Sequence, residues 1–248
     1  MTQASPAADE RAATFELPPP LAAAVNDACG AISHNVNGQR LGRKGRYTRE
    51  RILAATFELL DEPGEEPFTL KAVAERAGLG MSSLYKYFTD TSELVLATLE
   101  PVMATAEDAY LALLREWWYD DELAEKCHEF ICAYHNFWAR HWRLLHLRNA
   151  MADQRDPRMM AHRVNSTTPT IRLLVRQMQA DGRLEAGSLA TSMATMAMIG
   201  IERSVTIATD RQLPILMGWS MKLDSHRFLA PGARLLELAI RDSREAEG

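Results

Sequence analysis

Residues 69–88 read TLKAVAERAGLGMSSLYKYF, and two short helices joined by a tight turn account for every position in them. Such a pair needs a small residue where the backbones approach, a turn residue that accepts positive φ, and apolar side chains in the wedge. Val73 and Ala74 supply the contact, Gly78 stands four residues after Ala74 at the turn, and Leu79 and Leu84 fill the wedge. Thr69 caps the earlier helix. The later helix, from about Gly80 to Tyr87, turns Met81, Ser82, Ser83, Tyr85, Lys86 and Tyr87 outward, all able to reach bases or phosphates. The spacing alone also fits an ordinary helical hairpin. What lies upstream weighs against that.

The chain has 248 residues and a formal charge of -5. Gln39 to Arg51 holds six basic residues (Arg40, Arg43, Lys44, Arg46, Arg49, Arg51) and one acid, Glu50. That window is +5, so the rest carries -10. A basic segment directly before a reading helix is the electrostatic footprint of a phosphate binder. Arg43, Lys44, Arg46 and Thr48 are therefore counted with Thr69 and the outward residues 81–83 and 85–87 as the DNA-facing set. The acidic remainder argues against a protein that coats any duplex.

Outward from this core the pattern is helical throughout. Thr48 reads as the N-cap of a first helix in which Ile52, Ala55, Thr56, Leu59 and Leu60 share a face, stopped by Pro63-Gly64. Asp90 with Glu93 makes a D-x-x-E box that opens a fourth helix, which Pro101 should kink or interrupt. Further helical stretches run at roughly 103–118, 121–140, 142–152, 157–181, 188–209 and 227–245, with stops at Asp181-Gly182 and Pro231-Gly232. No period-2 strand stands out, so the fold class is all-α. Residues 1–45 are rich in Ala and Pro and read as a mostly disordered tail with a basic end, with one short helix possible at 21–32.

The stretch Tyr47-Thr48-Arg49-Glu50-Arg51-Ile52-Leu53-Ala54-Ala55 resembles the first helix of the TetR/AcrR family of transcriptional regulators. Phe68-Thr69 followed by Val73-Ala74-Glu75-Arg76-Ala77-Gly78-Leu79 resembles its second helix and turn. Ser83-Leu84-Tyr85-Lys86-Tyr87-Phe88 resembles its recognition helix, and Ser92-Glu93-Leu94 the start of its fourth. The resemblance implies a helix-turn-helix DNA-binding domain at 46–92, a ligand-binding and dimerisation domain at 93–248, and usually repression. By position it implies Thr69 and Tyr85 on phosphates and Met81, Ser82, Ser83 and Tyr87 facing the groove. The chain departs from the family at Gly80, where a small polar cap is common, at Ser82, where Gly is, and at Thr91, where Lys is.

The C-terminal half gives less specific signals. Eight aromatics lie between Trp117 and Trp142. At helical spacing they form either core or one wall of an apolar cavity between helices. Trp117, Phe130, Tyr134, Phe137, Trp138, His141, Trp142, Arg148 and Met178 are the candidate pocket for a small apolar or amphipathic effector. A homodimer follows from the need for two half-sites. Its interface falls on the helices near 188–209 and 227–245. Met193, Met196, Ala197, Gly200 and Ser204 form a stripe on the first, and Leu235, Leu236, Leu238, Ala239 and Ile240 are apolar on the second. Both stripes also suit packing within one chain.

The competing classes are an all-helical enzyme and a metal-responsive regulator using His128, Cys132 and His135, at i, i+4 and i+7 on one helix face. No G-x-S-x-G, Gly-rich phosphate loop or H-E-x-x-H motif is present, so neither an enzyme nor a cofactor is expected. Three cysteines without a C-x-x-C give no disulfide framework. Asp9, Glu10 and Arg11 stand where a secretion signal would be apolar, and no membrane span is visible, so a cytoplasmic location is expected.

Overall fold

A computed structural model describes residue 36 and residues 38–62, 67–179, 188–218 and 224–247. Among these the secondary structure is helical, with no strand. The chain divides into two compact units, one ending at Tyr87 and the other beginning at Phe88. The proposed 21–32 helix and the Pro63-Gly64 and Asp181-Gly182 stops fall outside the described residues.

The first unit has three helices: α1 (Arg43–Asp61), α2 (Leu70–Arg76) and α3 (Met81–Leu84). Ile52, Leu53, Val73 and Leu84 are wholly buried and Ala74 nearly so. Burying each large side chain contributes roughly 1.5–3 kcal/mol, which is what holds a four-residue helix such as α3 in place. The start of α1 corrects the sequence reading. Thr48 is not a cap: it lies inside the helix and donates its hydroxyl to Lys44 O at 2.9 Å. Gly42, in extended conformation, is the N-cap. Leu41 is buried just before it, and a Cβ at Gly45 would come within 2.8 Å of Leu41 Cδ2. Leu41 anchors the chain early enough for the helix to begin at Arg43, so part of the expected basic tail is helical.

The second unit is a helical bundle: α4 (Thr91–Ala104), α5 (Leu123–Arg140), α6 (Trp142–Asp153), α7 (Pro157–Met178), α8 (Leu189–Thr209), the short α9 (Leu213–Leu216) and α10 (Ser225–Glu247). The D-x-x-E box opens α4. Asp90 Oδ1 accepts from Glu93 N at 2.9 Å, and Glu93 reaches back to Thr89 N and Oγ1 at 2.6 and 2.7 Å. Two expected interruptions do not occur. α4 runs through Pro101 to Ala104, and α10 runs through Pro231 and Gly232. An interior proline costs about 3 kcal/mol. Leu99 and Val102 around the first, and Leu229, Ala233 and Leu236 around the second, are buried and together outweigh it. The expected 103–118 helix is instead a π turn, Glu107–Leu111, and a 3₁₀ turn, Ala112–Leu114. No helix among the described residues is long and apolar enough to cross a membrane.

Candidate functional site

The turn between α2 and α3 is closed by backbone geometry. Gly78 has φ +62, the left-handed conformation that favours glycine. Leu79 N donates to Ala74 O at 2.8 Å and Gly78 N to Glu75 O at 3.1 Å. This pair of bonds is a Schellman motif, which satisfies the last carbonyls of α2 and points the chain into α3. Thr69 starts α2, accepting from Ala72 N at 3.2 Å; its hydroxyl proton remains available to an outside acceptor.

Two of the six basic residues in the 39–51 segment have internal positions. Arg51 Nη2 donates to Ala77 O and, at 3.4 Å, to Gly78 O, bracing the turn across the unit. Arg49 is buried. The charge directed at solvent therefore comes from Arg40, Arg43, Lys44 and Arg46, all exposed. They stand at the beginning of α1, whose first turn holds no acidic residue. Positive charge is unfavourable at this end of a helix by roughly 0.3–1 kcal/mol per group. An anion drawn to both the cations and the helix end reverses that. An open cleft of about 680 Å³ lies here, lined by Arg40, Leu41, Gly42, Arg43, Arg46, Tyr47 and Glu50.

On α3 and the turn after it, Ser82, Tyr85 and Lys86 are exposed and Met81, Ser83 and Tyr87 half-buried, while Leu84 faces the core. Lys86 O accepts from Val36 N at 3.3 Å, so the segment before α1 is tied to the end of the reading helix. The first unit thus presents an exposed polar and aromatic helix, a hydroxyl cap and four solvent-facing cations. Nothing in the sequence separated Arg49 and Arg51 from these cations, because the groups that receive the Arg51 side chain lie 26 residues away.

In the second unit, most candidate pocket residues form packed core. Phe130, Tyr134, Phe137, Trp138 and Met178 are buried. Tyr110, from the π turn, meets Tyr134 and Phe137 edge-on at centroid distances of 5.0 and 5.2 Å. Burial pushes the Tyr110 hydroxyl up to about 12. Trp117 does not join them: it is exposed and lies 4.2 Å from the Arg244 guanidinium. His141 and Trp142 are half-buried at the edge, with Arg211 5.0 Å over the Trp142 ring.

Arg148 is the polar centre of this region. It is 2% exposed and bonds Glu202 Oε1 at 3.1 Å, Ser166 Oγ at 3.1 Å and Asn149 Oδ1 at 3.0 Å, with Trp138 5.4 Å away. Burial pulls its pKa down and Glu202 opposes that. Nearby, His162 holds a buried Nδ1 with no hydrogen-bond partner. Sequence reasoning missed Tyr110, His162 and Glu202, since their significance arises from packing between helices. It also missed Gln177 and Arg244, which clamp the loop after the 3₁₀ turn. Gln177 Oε1 accepts from Trp118 N at 3.0 Å, its Nε2 donates to Leu114 O at 3.0 Å, and Arg244 Nη2 donates to Trp118 O at 2.9 Å.

The one-helix set His128, Cys132 and His135 does not form as expected. The residue that joins His128 and Cys132 is His226 of α10. His135 lies one turn along α5 and hydrogen-bonds Asn136.

Residues 52–98 match the family of bacterial regulatory proteins described as the tetR family. The HTH-type transcriptional repressor KstR of Mycolicibacterium smegmatis is 37% identical over 71 residues, covering 27% of this chain and 35% of that protein. An HTH-type transcriptional regulator of Staphylococcus aureus strain USA300 is 35% identical over 52 residues, 21% of this chain and 28% of that protein. The chain spans about a third of the length of these curated relatives. The matched segment contains the Schellman turn, the helix after it and the D-x-x-E opening of α4, so residues 52–98 carry a helix-turn-helix similar to that of the tetR family of bacterial regulatory proteins.

Proposed function

We propose that the chain is a sequence-specific transcriptional repressor that binds operator DNA as a homodimer and is released by a small apolar or amphipathic ligand. The observations that carry the DNA-binding part are the turn at Gly78, locked by its own backbone bonds and by Arg51, and the four solvent-facing cations Arg40, Arg43, Lys44 and Arg46 in the same unit. Arg43, Lys44 and Arg46 hold phosphates, with Thr69 and Tyr85. Met81, Ser82, Ser83 and Tyr87 face the groove, and Lys86 reaches its edge. The repressor name of one relative supports repression.

The second unit supplies the ligand site and the dimer face. A ligand parts the packed core of Phe130, Tyr134, Phe137, Trp138 and Met178 from the half-buried edge at His141 and Trp142, with Arg148 as its polar anchor. The chain passes from the reading helix into α4 through residues 85–90. A ligand that favours one position of α4 is therefore covalently coupled to the reading helix. Such coupling is worth about 1–3 kcal/mol, and only through differential affinity for the two states.

The test is a gel shift of the full chain on DNA upstream of its own gene, at fixed salt. The expected result is a retarded band that excess unrelated duplex does not remove. Replacing Arg43, Lys44 and Arg46 with Ala should weaken binding and flatten the dependence of log affinity on log salt by about 0.9 per lost phosphate contact. An enzyme gives no shift, and a non-specific coat shifts every duplex equally; either result overturns the reading.

A further inference from the structure

On the outer side of the second unit, three ligating side chains distant in sequence converge. α5 carries His128 and Cys132 one turn apart, and the first turn of α10 brings His226 to them. Cys132 Sγ lies 3.5 Å from His128 Nε2 and 3.6 Å from His226 Nδ1. All three ligand atoms fall within 4.8 Å of one another.

Hydrogen bonding accounts for this poorly. A thiol has one proton to give, so one imidazole is served and the other meets only the weak accepting capacity of sulfur. Metal coordination accounts for both distances. With metal–sulfur near ~2.3 Å and metal–nitrogen near ~2.0–2.1 Å, a tetrahedral centre separates its sulfur and nitrogen ligands by about 3.6 Å. One thiolate and two imidazoles are a borderline-soft set, suited to zinc-class ions and not to magnesium or calcium.

We propose that His128, Cys132 and His226 bind one divalent cation of the zinc class, with solvent in the fourth position. Cys132 binds as thiolate and releases its proton to water. The ion ties the start of α10 to α5. Because α10 also turns Phe228, Leu235 and Leu238 to solvent, occupancy steadies a helix with an exposed apolar stripe. The inference is independent of the DNA-binding reading.

The test uses the full chain, reduced, stripped with a chelator and titrated with Co²⁺. The expected result is one ion per chain, with the intense visible absorption of four-coordinate cobalt and a thiolate-to-cobalt band, both displaced by Zn²⁺. Cys132→Ser should remove the thiolate band, while Cys29→Ser should leave it, and buried Cys127 should not substitute. His128→Ala and His226→Ala each remove an exposed imidazole and should weaken binding at least tenfold, whatever Cys132→Ser does to folding. His135→Ala should bind as the parent does. The proposal is overturned by the weak spectrum of hydrated cobalt alone or by a thiolate band that survives Cys132→Ser. It is equally overturned if His135→Ala abolishes binding while His226→Ala does not.

Discussion

Arg51 shows how far a residue's role lies from its composition. Counted by charge, it belongs to the same basic run as Arg43 and Lys44. In the fold its guanidinium closes the end of α2, on Ala77 O and Gly78 O, and so holds the turn that aims the reading helix. Hydrogen bonds from a charged donor are worth about 1.5–3 kcal/mol when well made, and partial exposure lowers that here. Arg51→Ala should therefore destabilise the first unit by about 1–2 kcal/mol. Lys86→Ala, at an exposed position, should leave stability unchanged within about 0.5 kcal/mol. Urea unfolding of both variants separates a residue that braces the turn from one that faces solvent. The sequence made the turn legible through Ala74, Gly78 and Leu84, because their roles depend on neighbours a few residues away. The destination of Arg51 depends on tertiary packing, which no local pattern encodes.

Among the elements, local rules failed where burial was strong. Thr48 has the chemistry of a cap, yet the helix begins five residues earlier, where buried Leu41 sets the entry of the chain. Pro101 and Pro231 sit inside helices whose buried neighbours outweigh the lost hydrogen bond. The expected dimer stripe on α10 splits, whereas no member of the α8 stripe is buried. On α10, Leu236 and Ile240 are buried within the chain, whereas Leu235 and Leu238 are 68% and 44% exposed. On α8, Met196 and Ile199 are 69% and 58% exposed. Exposed apolar side chains on these two helices are the candidates for the proposed dimer face. Placing a charge there should break a dimer without disturbing the core. Met196→Glu with Leu235→Glu is expected to halve the mass by light scattering while keeping helical circular dichroism. A parent chain that is already monomeric at micromolar concentration would rule out this face as the dimer contact.

At the scale of the whole molecule, the acid–base balance separates into parts with different consequences. In the second unit, burial pushes His141 and His162 down to about 4, with Arg140 and Arg148 adding to the effect. The unfolded chain takes up these protons near the ordinary histidine range, about 6.5, and the native chain does not until about 4. Stability is therefore full above about pH 6.5 and falls as pH drops through that window. Carboxylates held below their ordinary range, Asp156 by Ser92 and Glu237 by Arg234, extend the loss at lower pH. Melting temperature should decline steadily from about pH 6.5 to about pH 4; a flat profile would mean that these imidazoles are not denied protons. The +5 segment and the -10 remainder of the sequence are the charge division on which the proposed DNA-facing role of the first unit rests. The polar cluster around Arg148 was only half legible, since Glu202 and His162 join it from other helices. The central claim is that the first unit reads sequence. Selection from a random pool of duplexes by the full chain, at fixed salt, tests it most directly. Enrichment of one sequence built as two inverted half-sites about one helical turn apart is the result expected, and a pool that stays random through successive rounds would contradict it.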